Sequence, residues 1–517
     1  MKSFKFTSLV LSLMVTMAIS GCSDNNTPDV DGVDPSVTYP TGNGNYDGLA
    51  TSEGVLFSSG TQIGNGDQEF CFTGKQTIKK GTYLLKGWVY VRPGAELTIE
   101  AGTIIKGDKQ TQAALIIEPG AKLYAEGTKD APIVFTSEEA KGSRKPGDWG
   151  GLIICGKAKN NQGDMQIEGG PKTHHGGNDD SDNSGIIRYV RVEFAGYPFQ
   201  IDREINGITF GSVGNGTQID HLQVSYSNDD SYEWFGGSVN CKYLVAYKGW
   251  DDEFDTDNGF SGKVQFCLSI RDPKIADTSR SNGFESDNCS DGNSTATPLT
   301  SCVFSNVTFI GPATESNKSA GFENTTTYID GGRVYPNNGS ALGRFQSAMQ
   351  IRRSSNLNCF NSVAVGWPIG LIIDGQRGNC VEKAKDGSIK LKNIFFAGMG
   401  VVGTDANGEY RDILGTYNNG EITYDENQQS YSHTFFTSET SNRVYDSEND
   451  LMLADNSSKP TGQNYLPQSG SPLLGAASFT DTLLSGFDAV TYVGAFSGES
   501  DNWLEGWTNF DPQNTDY

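Results

Sequence analysis

Two copies of one short acidic unit occupy residues 227–262, which read SNDDSYEWFGGSVNCKYLVAYKGWDDEFDTDNGFSG. Asp229-Asp230 in the first copy match Asp251-Asp252 in the second, an interval of 251 − 229 = 22 residues. Fixed periods of about 20–50 residues are typical of solenoid proteins. An interval of this length corresponds to one coil of a parallel β-helix, in which neighbouring strands lie about 4.8 Å apart. The repeat therefore predicts a column of carboxylates along one edge of a coil stack.

Short strands with alternating apolar residues recur from Gly87 onward. Residues 88–91, 97–99 and 103–105 are separated by Pro-Gly or Ala-Gly turns, and nothing between residues 87 and 400 has the pattern of a long amphipathic helix. Alternation indicates one buried face, and the turns are too tight for helices. A β-sandwich is the competing fold. The spacing near 22 residues and the Gly216–His221 phrase favour an all-β, right-handed parallel β-helix.

The N-terminus has the pattern of an export signal. A basic start at residues 1–5 precedes an apolar run at 8–19 that is too short to span a bilayer, and Ile19-Ser20-Gly21-Cys22 follows. This order predicts a lipoprotein signal peptide at 1–21 and lipidation of Cys22, with an ordinary secretory signal as the alternative. The acidic Asp24 close behind Cys22 predicts a lipid-anchored protein of the outer membrane that is exposed at the cell surface.

Composition predicts five segments in all. The polar, Pro/Gly-rich residues 22–50 are typical of a flexible tether. We expect an N-terminal cap segment at 51–86, the β-helix at 87–440, and a C-terminal capping segment at 441–517. A solenoid needs its end covered, and Trp503, Trp507 and Phe510 supply apolar surface for that purpose. Long polar insertions at about 157–185, 271–300 and 311–348 are where binding usually sits.

The net charge limits the possible partners. At −24, the chain is a poor match for nucleic acid or for an anionic membrane surface. The charge is compatible with cations, neutral glycans or a basic protein. We therefore expect a polysaccharide or a surface protein as partner, no nucleic acid, and contact with the membrane only through the lipid anchor.

Eight cysteines follow Cys22, and an even number in an exported protein permits disulfides. Cys359 and Cys380, and Cys289 and Cys302, bracket predicted loops and are the preferred disulfide pairs. Cys241 and Cys267 are about one coil apart and are expected to stack as small buried residues. No CxxC pair occurs, which argues against a zinc site built on cysteine.

The acidic repeat is the candidate metal site. Carboxylates stacked this closely either raise their pKa values or recruit a cation, and calcium accepts six to eight oxygen ligands in loose geometry. The predicted ligands are Asp229, Asp230, Glu233, Asp251, Asp252, Asp255 and Asp257. For the glycan we predict Tyr232, Trp234 and Trp250 as stacking platforms, together with Glu285 and Glu323, which extend the acidic column. The alternative is solvated turn acids beside core aromatics.

Catalysis at the same edge is the rival hypothesis. A calcium-dependent polysaccharide lyase would need a cationic base, and Arg271, Lys274 and Arg280 follow the column. A glycoside hydrolase would need two carboxylates at a suitable separation. His174-His175 is a possible transition-metal pair, although adjacent histidines in a Gly-rich loop are more often solvated. No phosphate-binding Gly-Lys-Ser/Thr loop and no Gly-x-Ser-x-Gly elbow occurs.

Three phrases carry a resemblance to a known family. They are Asp182–Gly196 (DNSGIIRYVRVEFAG), the acidic repeat over 229–257, and the C-terminal pair YVGAF at 492–496 and GWT at 506–508. Together they resemble bacterial surface lipoproteins common in Bacteroidota. The resemblance implies a right-handed β-helix at the cell surface and no settled biochemical activity. We therefore expect a glycan-binding protein, with a lyase or glycosidase, or a structural or adhesive protein, as alternatives.

Overall fold

The computed structural model describes residues 62–200, 203–273, 275–277, 279–312, 343–455, 461–501 and 503–517. The predicted signal peptide, the Cys22 lipidation site and the tether lie outside the described residues. So do residues 51–61 of the predicted N-terminal cap, Lys274 and Glu323. Among the residues that are described, no helix is long and apolar enough to cross a bilayer.

The first coils contain three strands each. Their strands are β1 (Gln62–Ile63), β2 (Phe70–Phe72), β3 (Lys75–Ile78), β4 (Thr82–Leu85), β5 (Trp88–Val91), β6 (Glu96–Ile99), β7 (Ile104–Gly107), β8 (Ala114–Ile117) and β9 (Lys122–Glu126). From β1 to β8, each strand pairs in parallel with the strand three positions later in the chain, such as β2 with β5 and β5 with β8, whereas β9 pairs with the strand that contains Gly185–Arg188. Coiling thus begins by residue 62, earlier than the predicted boundary at Gly87.

The middle coils contain the acidic repeat. Their strands are β10 (Ile133–Ser137), β11 (Leu152–Cys155), β12 (Met165–Gln166), β13 (His174–His175), β14 (Gly185–Glu193), β15 (Pro198–Gln200), β16 (Arg203–Glu204), β17 (Ile208–Gly211), β18 (Gln218–Ser225), β19 (Tyr232–Phe235), β20 (Asn240–Tyr247), β21 (Phe254–Asp257), β22 (Lys263–Ile270), β23 (Phe284–Ser286) and β24 (Val303–Ile310). Two pairs, β12 with β13 and β15 with β16, are antiparallel hairpins inserted between coil strands.

The last coils contain the helices. Their elements are β25 (Ser347–Ile351), β26 (Asn358–Val365), β27 (Ile369–Ile373), α1 (Cys380–Asp386), β28 (Leu391–Ala397), β29 (Val401–Thr404), β30 (Leu414–Asn418), β31 (Glu421–Asp425), α2 (Tyr431–Ser438) and β32 (Arg443–Tyr445). Three short 3-10 turns follow at Glu448–Leu451, Thr482–Leu484 and Pro512–Asn514. Helix α2 closes this end of the stack, because the Phe436 ring is buried and stacks on Phe396 at 4.1 Å.

Two long parallel sheets form the body of the molecule. The sheet called B here follows the order β2-β5-β8-β11-β17-β19-β21-β23-β25-β27-β29, and the other, sheet A, contains the remaining coil strands. Alternate side chains fill the interior, where Phe210 stacks on Trp234 at 5.5 Å and Tyr232 on Phe254 at 5.6 Å. The fold is the right-handed parallel β-helix that the sequence predicts.

A corner divides each long strand of sheet A from β14 onward. One residue at the corner has a positive φ, between 50° and 62°, which L-residues rarely adopt. Asparagine tolerates this conformation, and the aromatic corner residues stack with ring centroids 4.3 to 5.0 Å apart. The corner column consists of Tyr189, His221, Tyr243, Phe266, Asn306, Asn361 and Asn393.

The C-terminal residues 461–517, called the strap here, cover sheet A along its length, whereas the sequence suggested a cap over one end. Buried amide side chains of the coils hold the strap backbone: Gln223 donates to the carbonyl of Asn509 (2.7 Å) and accepts from its N–H (2.8 Å). The same two-point pairing joins Gln265 to Asp488 and Asn361 to Ser478. Trp507 is fully buried beside the corner rings of Tyr189 and His221.

The predicted disulfides are wrong. All eight cysteines from Cys71 to Cys380 are buried and free. Cys359 lies in the core on β26, and its Sγ is 3.4 Å from the Ser362 hydroxyl, whereas Cys380 begins α1. Cys289 contacts the Asp291 carboxylate through its Sγ (3.1 Å). Burial raises the pKa of the Cys359 and Cys380 thiols to about 12, so these cysteines behave as small apolar core residues.

The strap pairing leads to a test with a matched pair of variants. Gln223→Leu leaves both backbone groups of Asn509 without partners, which costs about 1–3 kcal/mol for each buried polar group. We expect faster hydrogen–deuterium exchange, measured by mass spectrometry, in peptides covering 503–517. Gln218→Leu, at an exposed position of the same strand β18, should leave this exchange unchanged. Equal protection in the two variants would show that the amide does not hold the strap.

Candidate metal centre

Strand alternation on sheet B decides which side chains form the site. On β19, Tyr232 and Trp234 point into the core, so Glu233 between them points to the outer face. Parallel register then places Glu233 beside Asp255 on β21, and Asp255 beside Glu285 on β23. Three consecutive coils thus stack three carboxylates on the outer face of one sheet.

The turns that precede these strands add a second column. The Asp230 carboxylate accepts a hydrogen bond from the backbone N–H of Asp252 (2.8 Å), and Asp252 accepts from the N–H of Asn282 in the next coil. Asp229 and Asp251 neighbour these two residues in the chain. The 22-residue interval in the sequence is the length of one coil at this point, so the predicted carboxylate column is present.

The two columns converge into an acidic cluster. Three groups of carboxylates each offer oxygen atoms within 4.8 Å of one another. Asp230 belongs to the first and second groups, and Asp255 to the second and third, so the groups are continuous. Apart from the partly buried Asp229, every member is buried. The members are Asp229, Asp230, Asp251; Asp230, Glu233, Asp255; and Asp252, Asp255, Glu285.

Arginines neutralise the edges of the cluster. The fully buried Arg271 donates to Glu253 (2.9 Å) and to the backbone carbonyl of Trp250 (3.0 Å). At the other edge, Arg352 pairs with Glu285 and with Asp287 (2.9 Å). Among the described residues, no lysine or arginine forms an ion pair with Asp229, Asp230, Glu233, Asp252 or Asp255.

Burial and mutual repulsion make ionisation of these acids unfavourable. Burial first, and then the neighbouring carboxylates, raise the pKa of Asp230, Asp252 and Asp255 well above the ordinary value. The same causes act on Asp229, Glu233 and Asp251. At the arginine edge, burial raises the pKa of Asp257 and of Glu285 to about 7.

Several oxygens of the cluster lack hydrogen-bond partners. Within the described part of the chain, Asp251 Oδ1, Asp255 Oδ1 and Glu285 Oε2 are buried and accept no hydrogen bond. A buried acceptor without a donor costs about 1–3 kcal/mol, and more when it is charged. Their three side chains are at most 5% exposed. Oxygens converging in this way are the ligands that hard cations such as Ca²⁺ prefer.

The aromatic residues do not form the predicted platform. Tyr232 and Trp234 are completely buried, and the Tyr232 hydroxyl donates to the backbone carbonyls of Leu222 (2.8 Å) and Val245 (3.0 Å). Trp250 is 1% exposed. A ring with no exposed face cannot stack on a sugar. For Tyr232 and Trp234 the physical reason is the two-residue alternation that turns Glu233 outward. These aromatics are core residues.

Sequence reasoning missed several members of the site. Asn206 donates to Glu233, Ser279 donates to Asp251 (2.6 Å), and Gln350 continues the Glu285 column on β25. The adjacent pair Arg352-Arg353 closes the site against Asp287. A basic pair directly after the buried strand 347–351 is a local signal for this edge. Predicted ligand Asp257 lies at the same edge, outside the three converging groups.

The histidine pair lies apart from the cluster. His174 and His175 form β13, where His174 pairs with Asp164 (3.2 Å) and His175 is buried. Neither histidine belongs to a converging group of ligand atoms in the described residues. Of the two described cationic residues proposed as a base, Arg271 reaches the acidic edge, where it donates to Glu253. Arg280 packs against Gly408 instead, and its guanidinium carbon would lie 3.0 Å from a Cβ added there.

These features define a class of protein: a parallel β-helix with buried carboxylates converging on the outer face of one sheet. Residues 71–443, more than half of the chain, match the family described as the pectate-lyase-like beta helix domain. The chain belongs to this family. Searches among curated proteins and among solved structures gave no match.

The raised pKa values predict how stability depends on pH without metal. A carboxyl group with a higher pKa in the folded state binds more protons there, so stability falls as pH rises between the two values. For Asp257 and Glu285 this window runs from 3.8 and 4.5 to about 7. We expect the thermal midpoint in chelator to decrease as the pH is raised from about 4 to about 7. Each group lowers the free energy of unfolding by about 1.4 kcal/mol per unit by which its pKa is raised in the folded state.

The double variant Asp257→Asn/Glu285→Gln should make this decline shallower, measured by circular dichroism at a series of pH values, while the other raised carboxyl groups of the cluster keep part of it. Exposed Asp130→Asn is the control and should retain the wild-type slope. A wild-type midpoint that stays level or rises across the window would contradict the assignment of buried, unfavourable carboxylates.

Proposed function

We propose that this protein is a polysaccharide-interacting β-helix protein whose acidic cluster binds calcium. The observation that carries the proposal is the excess of buried carboxylates over cations at the cluster. Asp230 and Asp255 connect the converging groups, and neither has an ion pair among the described residues. A bound divalent cation would restore the ionised form of these acids without the cost of isolated buried charge.

The spacing of the oxygens is compatible with calcium, and the irregular set of ligands favours calcium over magnesium. Calcium–oxygen distances of about 2.3–2.6 Å place opposite ligands around one ion about 4.6–5.2 Å apart. The three groups keep their oxygens within 4.8 Å. Calcium also accepts irregular ligand sets, which suits side chains from turns and strands of several coils. The strict octahedral geometry of magnesium, at about 2.0–2.1 Å, matches such a set less well.

The polysaccharide part of the proposal rests on the family and on charge. The family is described by its likeness to pectate lyase, which supports a polysaccharide as the ligand class. The net charge of −24 disfavours anionic polymers unless cations intervene. Because the cluster is buried, a calcium ion there would order the outer face of sheet B and its loops, and the glycan would contact the surface that those loops form.

A calcium-dependent lyase is the second candidate, and Arg352 is the observation that favours it. Its guanidinium pairs with Glu285 inside the acidic cluster, where a cationic base would be needed. Burial lowers the pKa of Arg352, but Asp287 and Glu285 outweigh burial and raise it well above the ordinary value. An arginine held so firmly in its charged form is a poor general base. Binding is therefore the better-supported function.

For location, we propose that Cys22 carries the lipid that anchors the protein in the outer membrane, at the cell surface. The order of basic residues, apolar run and Ile19-Ser20-Gly21-Cys22 supports this. Labelling cells with an alkyne fatty acid should mark the wild-type protein and not Cys22→Ser. Equal labelling of the two would refute the anchor.

Calcium binding has a direct thermodynamic test. A ligand bound only by the folded state stabilises it, by about 2.7 kcal/mol at 100 times its Kd. We expect calcium to raise the thermal midpoint of the purified protein above its value in chelator. Asp251→Asn/Asp255→Asn should abolish this rise. The exposed pair Asp130→Asn/Asp516→Asn should retain it, and a wild-type midpoint insensitive to calcium would refute the cation site.

The choice between binding and cleavage is made by a polysaccharide screen with calcium. We expect at least one polymer to be retained in affinity electrophoresis without formation of unsaturated products, measured by ultraviolet absorbance. Asp251→Asn/Asp255→Asn should weaken retention if calcium orders the binding loops. Unsaturated product that disappears in Arg352→Gln would establish the lyase instead. Neither retention nor product from any polymer would favour a structural or adhesive role.

A further inference from the structure

Two of the three converging groups in the acidic cluster share no residue. The first, called the rim group here, consists of Asp229, Asp230 and Asp251. The third, called the inner group here, consists of Asp252, Asp255 and Glu285. In each group, one oxygen from every carboxylate lies within 4.8 Å of the others. Both groups can therefore hold a cation at the same time without sharing a ligand.

The coil repeat sets the distance between the two groups. The rim group connects the turn before β19 with the turn before β21. The inner group connects the coil of β21 with Glu285 on β23, which lies beside Asp255 in the parallel register. The inner group is thus one coil further along the stack, and neighbouring coils are about 4.8 Å apart. Two cations at these positions would be separate ions rather than alternatives for one position.

The middle group, formed by Asp230, Glu233 and Asp255, does not add a third position. An ion there would take Asp230 from the rim group and Asp255 from the inner group, so it would compete for ligands with both. It would also lie between two positive charges. Glu233 accepts a hydrogen bond from the side-chain amide of Asn206, which partly satisfies this carboxylate without a cation.

Each of the two groups contains an enclosed oxygen without a donor. Among the residues that the structure describes, these are Asp251 Oδ1 in the rim group and Asp255 Oδ1 and Glu285 Oε2 in the inner group. The three side chains are 3%, 5% and 2% exposed. Buried polar atoms in proteins nearly always have a partner. A cation at only one group would leave an oxygen of the other group without one.

Charge balance also favours more than one divalent ion. The cluster holds seven carboxylates, and only Glu285, which pairs with Arg352, has an ion pair among the described residues. One divalent ion would balance two of the six remaining carboxylates, and two ions would balance four. Buried charges without a counter-charge are strongly unfavourable. The inner group is balanced completely, because its three carboxylates, Arg352 and one divalent ion have a total charge of zero.

We propose that the acidic cluster binds two calcium ions about one coil apart, one at the rim group and one at the inner group. The inference rests on the proposed calcium binding and adds the number of ions and their separate roles. Asp229 is the one partly exposed member of the cluster in the described chain, so the rim ion is reached from solvent. The inner ion is enclosed and fastens two neighbouring coils to each other.

Equilibrium dialysis of the purified protein against radioactive calcium counts the bound ions. We expect two ions per wild-type chain. Asp229→Asn/Asp251→Asn should lose the rim ion, and Asp252→Asn/Glu285→Gln the inner ion, so that each variant binds one. The exposed pair Asp130→Asn/Asp516→Asn should still bind two. Circular dichroism of each variant confirms that it is folded, and the wild-type count stands without the variants.

The rate of calcium release supplies a second measurement, made by mixing the loaded protein with a fluorescent chelator in a stopped-flow instrument. We expect two phases, because the rim ion faces solvent and the inner ion is enclosed. The fast phase should be missing in Asp229→Asn/Asp251→Asn, and the slow phase in Asp252→Asn/Glu285→Gln.

The two-ion proposal and the calcium site fail in different ways. One bound ion in the wild type, released in a single phase, would overturn the two-ion proposal and leave calcium binding intact. Loss of all bound calcium in either folded variant would do the same, since it would show one ion shared by both groups. No bound calcium in the wild type would refute the cation site itself, and the two-ion proposal with it.

Discussion

Parallel stacking in one register is the constraint on which this structure depends. Each coil places its side chains about 4.8 Å above those of the coil below, so whatever residue type a position holds is repeated along a column. Repetition is favourable for apolar residues, as the stacked rings of Phe210 and Trp234 show. It is unfavourable for carboxylates, because burial and like charge both oppose ionisation. The acidic cluster is thus the costly part of a regular scaffold.

The scaffold compensates that cost unevenly. Where Glu285 and Asp287 lie side by side in one coil, Arg352 and Arg353 provide cations, and Arg271 does the same for Glu253. Between these edges, backbone N–H groups of the next coil are the only donors to Asp230 and Asp252 within the described residues. The uncompensated charge is therefore confined to a gap between two arginine-held edges. This gap is where we propose that the cation binds.

The fold and the position of the acids were predictable from sequence because both depend on one periodicity. The interval from Asp229 to Asp251 equals one coil, and it predicted the stacked turn acids before any contact was known. The burial of Trp234 was also available locally, since it alternates with Glu233, but reading the aromatics as exposed platforms ignored that alternation. The contact between the strap and sheet A could not be predicted from local sequence patterns. Gln223 and Asn509 are 286 residues apart, and neither neighbourhood carries a signal of the other.

Burial separates the two roles that the sequence assigned to one edge. A polymer cannot reach carboxylates that are almost fully enclosed, so direct sugar contact and cation binding need different surfaces. The β12–β13 hairpin lies over the same sheet as the cluster, because its Ile167 packs on the outer face of sheet B. Glu168 adjoins Ile167, and its charge raises the pKa of Glu233 in the acidic cluster after burial itself. A cation in the cluster would therefore act on the hairpin segment that covers sheet B without contacting the glycan.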